Sequence, residues 1–428
     1  MAKIAFLGTS DHGDLNPVIG VLQELRDAGH ELHVYGYRES SGYLAECGLD
    51  VTCYEDVLGP GAPRSPLERY DPQDLARGST VDKPADRRAF FTALTAEVLG
   101  NVEGYRRILN DLEPDCVIHD LMFPGPRYAA ESLGIPLVTS GTMAISPKAW
   151  LQVPDKEVAA KVGADFEVLR EATAPLLGLR QRLGLGGTAI PVDVFNVSRD
   201  LILSYTSELF QGDYDTQRPY RFVGPCPRSH QQPAVGPDVA ELTAVPGEGP
   251  LVLVWLGAQA DPARVRAFAE GLAAAAAGMA VRFILATGPA LSPDSLDGLP
   301  VSVRAVESVP QQELIPQVDA VVCQGGFITV HDALFAAKPT WALMMDNDQF
   351  LIGRALADSG AGIATPLRDG RIPVAEVRKN IEILLQDEEM ARAAKRVRDS
   401  LLAAGGRPAA RAAIEQLIAD RPGRSGGS

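Results

Sequence analysis

The sequence contains few cysteines, and their spacing forms no recognisable motif. Five cysteines occur among the 428 residues, and no two of them are spaced as C-x-x-C. The pattern therefore predicts neither a zinc ribbon nor a disulfide framework. Scattered thiols in an odd number are typical of a reducing cytoplasm, which is the location that we expect.

Positive charge and long hydrophobic runs are also scarce. The chain has 40 Lys and Arg against 55 Asp and Glu, a net charge of −15. Binding to nucleic acid needs clustered Lys and Arg, so this balance argues against a nucleic-acid partner. Runs such as LVLVWLGA (251–258) are far shorter than the ~20 residues that cross a bilayer, so we expect no membrane partner. No signal-peptide pattern precedes the first strand, which begins at Lys3.

What the sequence does have is a regular alternation of short apolar strands and amphipathic helices. Most of the strands are apolar along their whole length, which predicts that both faces of each sheet are covered. Repeated strand–helix–strand units predict an α/β fold with parallel sheets and helices on both faces. The predicted strands are 3–8, 31–37, 116–119, 136–140 and 201–205 in a first series, and 251–257, 281–287, 301–306, 320–326 and 340–345 in a second.

A segment rich in proline and glycine separates the two series of strands. PCPRSHQQPAVGPDVAELTAVPGEGP (225–250) has little apolar periodicity and predicts an interdomain linker. We therefore expect two similar doubly wound domains that face each other, with ligands at the carboxyl ends of their strands. The predicted boundaries are 1–225 for the N-terminal domain, 226–248 for the linker, 249–405 for the C-terminal domain, and 406–428 for a C-terminal helix that packs back on the N-terminal domain and ends in a disordered tail.

A histidine follows the first predicted strand. The stretch SDHGDLNP (10–17) precedes a helix for which Asn16 and Pro17 fit the N-cap and the first helical position, so His12 lies at the ligand-binding edge of the sheet. The strand CVIHD (116–120) ends in Asp120, which could reach His12 if the two strands are neighbours. A histidine held by a carboxylate is the arrangement of a general base. The alternative is that His12 bonds within its own turn and Asp120 caps the next helix.

Three motifs spread over nearly the whole chain point to one family. They are HGDLNP (12–17), RFVGP (221–225) and the long stretch from SVPQQELIPQVDAVVCQGGFITVHDAL (308–334) to DNDQF (346–350). With these motifs the sequence resembles the nucleotide-sugar-dependent glycosyltransferases of the GT-B fold, which have two facing Rossmann-like domains. The nearest type is the bacterial natural-product and macrolide glycosyltransferases.

The resemblance implies roles for residues at both ends of the motif set. His12 matches the catalytic base of the family, and Asp120 matches its supporting carboxylate. Asp348 and Gln349 match the pair that contacts the hydroxyls of the donor sugar. An inverting transfer is implied, in which His12 takes the proton of an acceptor hydroxyl as this attacks the anomeric carbon.

The resemblance also implies a nucleotide site. Val309–Gln311 matches part of the loop that binds the nucleobase. The turn Gly325–Gly326 and Thr329 match the residues that receive the diphosphate. Asp332 stands where the family commonly has a glutamate for the ribose hydroxyls, one methylene longer.

At several positions the sequence departs from the family pattern. Gln324 occupies the place of a histidine that contacts the diphosphate, and His331 is considered as its substitute or as a surface histidine. Ser308 replaces a tryptophan that stacks on the nucleobase. In VWLGAQ (254–259), Gly257 is assigned to the donor site, and Ala258 stands where serine or threonine is common.

The acceptor is expected to be a small, natural-product-like molecule on the N-terminal domain. Phe123, Met143 and Trp150 are candidate walls of its site, although Phe123 and Trp150 fit a hydrophobic core equally well. Residues 57–87 are polar and rich in proline and glycine, and they are expected to form a lid over this site.

No resident cofactor or metal is expected. The first strand is not followed by G-x-G-x-x-G, which argues against a nicotinamide enzyme, and no carboxylate cluster for magnesium is visible. The co-substrate is expected to be a UDP- or dTDP-linked sugar, and the protein a monomer or homodimer. Two alternatives remain: a non-catalytic GT-B homologue that binds a sugar nucleotide or a partner enzyme, and a sugar-nucleotide epimerase or hydrolase on the same fold.

Overall fold

The structure is a computed structural model of the 428-residue chain. The residues that it describes are 1–9, 12–59, 84–121, 123–142, 170–185, 198–214, 216–228, 237–257, 260–345, 347–367 and 370–420. All statements below concern these residues.

The N-terminal half folds around a seven-stranded sheet in the order β3-β2-β1-β4-β5-β6-β7. Its paired strands are parallel. The strands are β1 (Lys3–Leu7), β2 (Glu31–Gly36), β3 (Val51–Cys53), β4 (Cys116–Asp120), β5 (Leu137–Gly141), β6 (Leu201–Ser204) and β7 (Tyr220–Phe222). The helices are α1 (His12–Asp27), α2 (Arg38–Glu46), α3 (Tyr54–Leu58), α4 (Pro84–Leu112), α5 (Gly125–Leu133), α6 (Leu176–Arg182) and α7 (Glu208–Gln211).

The C-terminal half repeats this plan around a six-stranded sheet in the order β10-β9-β8-β11-β12-β13. Its paired strands are again parallel. The strands are β8 (Leu251–Trp255), β9 (Arg282–Ala286), β10 (Val303–Val306), β11 (Ala320–Cys323), β12 (Thr340–Met344) and β13 (Gly362–Pro366). The helices are α8 (Val239–Thr243), α9 (Pro262–Ala276), α10 (Gln311–Leu314), α11 (Phe327–Phe335), α12 (Asn347–Asp358), α13 (Val374–Gln386), α14 (Glu388–Ala403) and α15 (Gly406–Ala419).

Each sheet is buried on both faces. Side chains of a strand alternate between the two sides of the sheet, and both sets belong to hydrophobic cores. In β1, Ile4 and Phe6 belong to one hydrophobic core, and Ala5 and Leu7 belong to another. Strand β8 divides its residues between two cores in the same way. The prediction of an α/β fold with two parallel, helix-covered sheets is confirmed. None of the described helices combines the length and the apolar character needed to cross a membrane.

Three strands were not predicted from the sequence, and one helix begins at a residue other than the predicted one. Strands β3 and β7 have three residues each, and β13 begins with glycine and ends with proline, so none of them forms a clear apolar run. Helix α1 begins at His12, and Pro17 lies inside it rather than at its first position. Of the expected lid 57–87, residues 57–58 end α3, residues 84–87 begin α4, and 60–83 lie outside the described residues.

The last helix, α15, lies against the N-terminal half. Its residues Ala410 and Ile414 are fully buried in the same core as Ile4. The Arg411 guanidinium on this helix pairs with the Glu24 carboxylate on α1 at 3.0 Å. The chain therefore crosses between its two halves both through the linker and through α15.

Candidate active site

The two central strands of the N-terminal sheet end next to each other. Leu7 of β1 lies opposite His119 of β4, so the following residues, Gly8 and Asp120, are neighbours at the carboxyl edge. The two strands are neighbours, which is the condition under which Asp120 could reach His12. Asp120 is buried, with 3% of its surface exposed. A carboxylate is thus held at the edge where the chain leaves β1 for α1.

His12 is the first residue of α1, four residues beyond Gly8. Its backbone therefore lies at a helix N-terminus on the same edge of the sheet as Asp120. The side chain of His12 lies outside the described part of the structure. A contact between His12 and Asp120 stays a prediction.

Asn16 does not cap α1, because its side chain is used elsewhere. Its Oδ1 atom accepts hydrogen bonds from the Tyr43 hydroxyl and from the Arg228 guanidinium. The Arg228 guanidinium also lies 4.9 Å from the centroid of the Tyr43 ring. These contacts connect the start of the linker to Asn16 of α1, which lies one helical turn after His12.

His119 is a structural residue beneath this edge. Its Nε2 atom lies 2.8 Å from the Thr139 hydroxyl, and its Nδ1 atom lies 3.3 Å from the backbone carbonyl oxygen of Phe123. A carbonyl only accepts, so Nδ1 carries the proton and Nε2 accepts from Thr139. Burial lowers the pKa of His119 to about 3, which keeps the ring neutral.

The structure corrects the expectation that Phe123 faces the acceptor. Phe123 is fully buried, and its ring packs against Tyr37 and Tyr105 with centroids 5.8 and 5.7 Å apart. It follows the strand that carries Asp120, but its ring enters the core between the sheet and α4. The other two proposed walls, Met143 and Trp150, lie outside the described residues.

In the C-terminal half, the equivalent pair of central strands also ends at two predicted site residues. Trp255 of β8 lies opposite Cys323 of β11. Gly257 has a φ of +92°, and a Cβ atom added to it would lie 2.4 Å from Nε2 of Gln324. The Gln324 amide therefore rests directly on the glycine, which no larger residue could replace without moving it.

A glycine turn leads from β11 into α11. Gly325 has a φ of +83°, and a Cβ atom added to it would lie 3.4 Å from the Cβ of Ala342 and 3.5 Å from the backbone oxygen of Gln349. Gly326 is the N-cap residue, and α11 begins at Phe327. Free backbone N–H groups at such a helix start are suited to bind an anion.

Three predicted nucleotide-site residues form one hydrogen-bonded chain. The Thr329 hydroxyl donates to Oε1 of Gln311 at 3.1 Å. Nε2 of Gln311 donates to Oδ2 of Asp332 at 2.8 Å. Burial raises the pKa of Asp332 to about 6, and the bond from Gln311 opposes that rise.

The predicted sugar-contacting pair lies at the start of α12. Asp348 is exposed in the first turn of the helix. Gln349 is buried, and its Oε1 atom accepts a hydrogen bond of 2.7 Å from the backbone N–H of Met345. Gln349 thus fastens the end of β12 to α12, and its contact with a sugar stays a prediction.

His331 is neither a substitute for the phosphate histidine nor a surface residue, which corrects both expectations. It is 3% exposed, and its Nε2 atom lies 2.8 Å from the hydroxyl of Thr206 in the N-terminal half. The ring stacks on Phe327 and meets Phe210 edge to face. Burial lowers the pKa of His331 to about 4. The imidazole is therefore a neutral link between the two halves, which the sequence could not indicate because its partner is 125 residues away.

A cavity of about 800 Å³ lies between the two halves. Asn16, Tyr43 and Arg228 line it on the side of the N-terminal half and the linker, and Gln311 and Asp332 line it on the other side. Tyr43 and Arg228 were missed in the sequence, because only the fold brings α2 and the linker together. Asp332, the residue predicted to bind the ribose, thus lines a cavity between the two halves.

Within the described residues, no group of three His, Cys, Asp or Glu side chains could hold a metal ion. The chain continuing from Gly257, residues 258–259, lies outside the described residues, as does Asp346.

Comparison with known proteins agrees with this architecture. Residues 273–419 match the family described as "Erythromycin biosynthesis protein CIII-like, C-terminal domain". The chain is 26% identical to the oleandomycin glycosyltransferase of Streptomyces antibioticus over 434 residues, which cover 99% of this chain and 92% of that protein.

Solved structures of glycosyltransferases share the fold along nearly the whole chain. The calicheamicin glycosyltransferase CalG4 has a TM-score of 0.72 at 21% identity, covering 99% of this chain and 100% of that one. Spinosyn rhamnosyltransferase SpnG complexed with thymidine diphosphate has a TM-score of 0.65 at 21% identity, covering 96% and 100%. The chain therefore has the GT-B fold of these structures, residues 273–419 match the EryCIII-like C-terminal domain, and natural-product glycosyltransferases are among its homologues.

Proposed function

We propose that the protein transfers a sugar from a nucleoside diphosphate donor to a hydroxyl of a small natural-product-like acceptor, with inversion at the anomeric carbon. One observation carries the proposal. The central strands of the two halves end at groups with complementary chemistry. In the N-terminal half this is the buried carboxylate of Asp120, beside the segment that leads from β1 to His12. In the C-terminal half it is a glycine turn with a helix N-terminus at Gly325–Phe327.

On the N-terminal side, His12 acts as the general base, and Asp120 orients and stabilises it. The acceptor oxygen gives its proton to His12 as it forms the bond to the anomeric carbon. The bond from this carbon to the diphosphate oxygen breaks on the opposite face, which inverts the configuration. Such a base contributes roughly 10² to 10⁴ in rate.

On the C-terminal side, the departing diphosphate is stabilised by backbone N–H groups at the start of α11. The Gln324 amide, which lies over Gly257 and 3.4 Å from where a Cβ of Gly326 would stand, supplies a neutral donor. A helix N-terminus binds an anion without a metal ion, and we propose that the reaction needs none. No resident cofactor takes part.

We propose a UDP- or dTDP-linked sugar as the donor. The likeness to SpnG, whose structure holds thymidine diphosphate, supports the dTDP form. Asp332 would contact the ribose, and Asp348 and Gln349 the sugar. The acceptor would bind on the N-terminal half.

The proposal is tested by ligand binding followed by product analysis. A thermal-shift panel of UDP-, dTDP- and GDP-sugars identifies the donor, because a ligand of the native state raises stability by RT ln(1 + [L]/Kd). Incubation with a panel of aglycones, with and without excess chelator, then tests transfer, and NMR of the product gives its anomeric configuration. Binding without any transfer would favour the non-catalytic alternative, and activity lost to chelator and restored by magnesium would refute metal independence.

A further inference from the structure

Both polar ends of the Gln311 side chain are engaged. Its Nε2 atom donates to Asp332 at 2.8 Å, and its Oε1 atom accepts from the Thr329 hydroxyl at 3.1 Å. An ionised carboxylate can only accept, so the amide NH2 must face Asp332 and the amide oxygen must face Thr329. The amide is therefore held in one orientation by two partners of opposite hydrogen-bonding character.

These two partners lie at different places along α11. Thr329 is the third residue of the helix, within its first turn, where the proposed diphosphate would meet free backbone N–H groups. Asp332 lies one turn later and lines the cavity between the halves together with Gln311. Gln311 therefore connects the phosphate end of the proposed site to its ribose end.

We propose that Gln311 couples occupancy of the phosphate end to recognition of the ribose, rather than contacting the nucleobase. This inference rests on the proposed function. The Thr329 hydroxyl has a single proton, and a phosphate oxygen that accepts it removes the bond to Gln311. The amide oxygen of Gln311 is then released and accepts a ribose hydroxyl beside Asp332.

Two features of the site favour this coupling. The Asp332 side chain is one methylene shorter than the glutamate common in the family, and its Oδ2 atom already accepts a hydrogen bond from Gln311. A second acceptor next to it, the amide oxygen of Gln311, therefore strengthens binding of the ribose. Thr329 is 9% exposed, so its hydroxyl has few alternatives to Gln311 and the ligand. The two parts of a nucleoside diphosphate are expected to bind cooperatively as a result.

A double-mutant cycle tests the coupling. Affinities for UDP and dTDP are measured by calorimetry for the wild type, T329V, D332N and the double variant, and the same four combinations are measured in a Q311M background. With Gln311 present, the two substitutions are expected to be non-additive by a factor of roughly 3 to 10. In the Q311M background, the factor is expected to fall to about 1.

Matched variants separate the coupling from a general structural effect. T329S keeps the hydroxyl and is expected to retain the coupling. Q317M makes the same change at an exposed glutamine in the 3-10 turn Ile315–Gln317, outside the cavity, and is expected to leave UDP and dTDP affinity unchanged. If D332N fails to fold, as judged by circular dichroism, D332A takes its place in the cycle.

The outcomes distinguish this inference from the proposed function. Equal coupling with and without Gln311, or no coupling in either background, overturns the role of Gln311 while nucleotide binding still supports a donor site. If the wild type binds no nucleoside diphosphate at all, the proposed function fails, and the inference fails with it.

Discussion

The two halves of the chain arrange their central strands alike, yet the residues at the ends of these strands differ in charge. In the N-terminal sheet β1 and β4 lead to Gly8 and the buried carboxylate of Asp120. In the C-terminal sheet β8 and β11 lead to Gly257 and the neutral amide of Gln324, which lie in direct contact. One backbone plan thus places a carboxylate at one edge and an amide at the other, and in the proposed function the first stabilises a protonated base and the second faces the diphosphate.

Each half also buries one histidine close to its site. His119 and His331 each bond a threonine hydroxyl through Nε2 and a backbone carbonyl through Nδ1. Burial lowers their pKa values to about 3 and about 4. Both are neutral at physiological pH, so nearness to a site does not by itself make a histidine an acid or a base.

Among the substitutions that test this difference between the halves, replacing His12 is expected to have the largest effect on kcat. His12→Ala removes the proposed base from the N-terminal edge, so kcat should fall by roughly 10² to 10⁴ while the Kd for the donor stays nearly the same. Asp120→Asn should also lower kcat with the fold retained. His33→Ala, at a partly exposed histidine on β2, is the control and should change little. Turnover of His12→Ala within a few-fold of wild type would contradict the assignment.

A second buried carboxylate of the N-terminal half provides the next prediction. Glu97 is 4% exposed, and its Oε1 atom accepts from the Tyr105 hydroxyl at 2.6 Å. Burial raises the pKa of Glu97 from 4.5 to about 7. The folded protein therefore binds this proton more tightly than the unfolded chain does. The resulting stabilisation is fully present below pH 4.5 and is lost as the pH rises through about 7.

Glu97→Gln should therefore stabilise the protein at pH 8 by up to about 3 kcal/mol and change it little at pH 4.5. Among the described residues, Oε2 of Glu97 has no hydrogen-bond partner, so the NH2 group that replaces it gains none there, and about 3 kcal/mol is an upper bound. Urea unfolding at the two pH values measures the difference. Glu103→Gln, on the same helix but exposed, should show no such pH dependence. A gain of equal size at both pH values would contradict the raised pKa.

Three substitutions of Gln324 test the carboxyl edge of the C-terminal sheet. If the amide donates to the diphosphate, Gln324→Ala removes a bond to a charged group, which is worth roughly 1.5–3 kcal/mol, or about one to two decades in kcat/KM. Gln324→Glu should be worse, because it sets a carboxylate against the diphosphate, and Gln324→His should equal or exceed the wild type. Transfer rates and nucleotide affinities across the three variants measure this order. Wild-type behaviour in all of them would separate Gln324 from the diphosphate.

The sequence predicted the fold more completely than the site. Apolar runs with covered faces are local patterns, and they located most strands; β3, β7 and β13 are too short or too rich in glycine and proline to show one. Glycine turns such as Gly325–Gly326 were also recognisable, because their conformation restricts the residue type.

Side-chain partnerships could not be predicted in the same way. Phe123 has the position expected of an acceptor contact, but its ring packs in the core against Tyr37, which follows β2, and Tyr105 of α4. Asn16 has the sequence context of a helix cap, yet Arg228 and Tyr43 engage it from distant segments. Such contacts depend on the packing of segments far apart in the chain, which no spacing records.

The smallest predicted effect concerns the contact that joins the two halves. Thr206→Val removes the hydroxyl that His331 accepts from while keeping the volume of the side chain. Thr206 and His331 are both buried, so the substitution leaves Nε2 of His331 without this hydrogen bond, and we expect a loss of roughly 1 kcal/mol in the free energy of unfolding. Thr206→Ser keeps the hydroxyl and should restore most of this loss. Because His331 lies on α11, beside Asp332, the loosened contact should also weaken donor binding slightly, with kcat at saturating donor unchanged. Chemical unfolding and donor titrations of the two variants measure both effects. A drop in kcat as large as that of His12→Ala would mean that His331 acts on the reaction itself and not only between the halves.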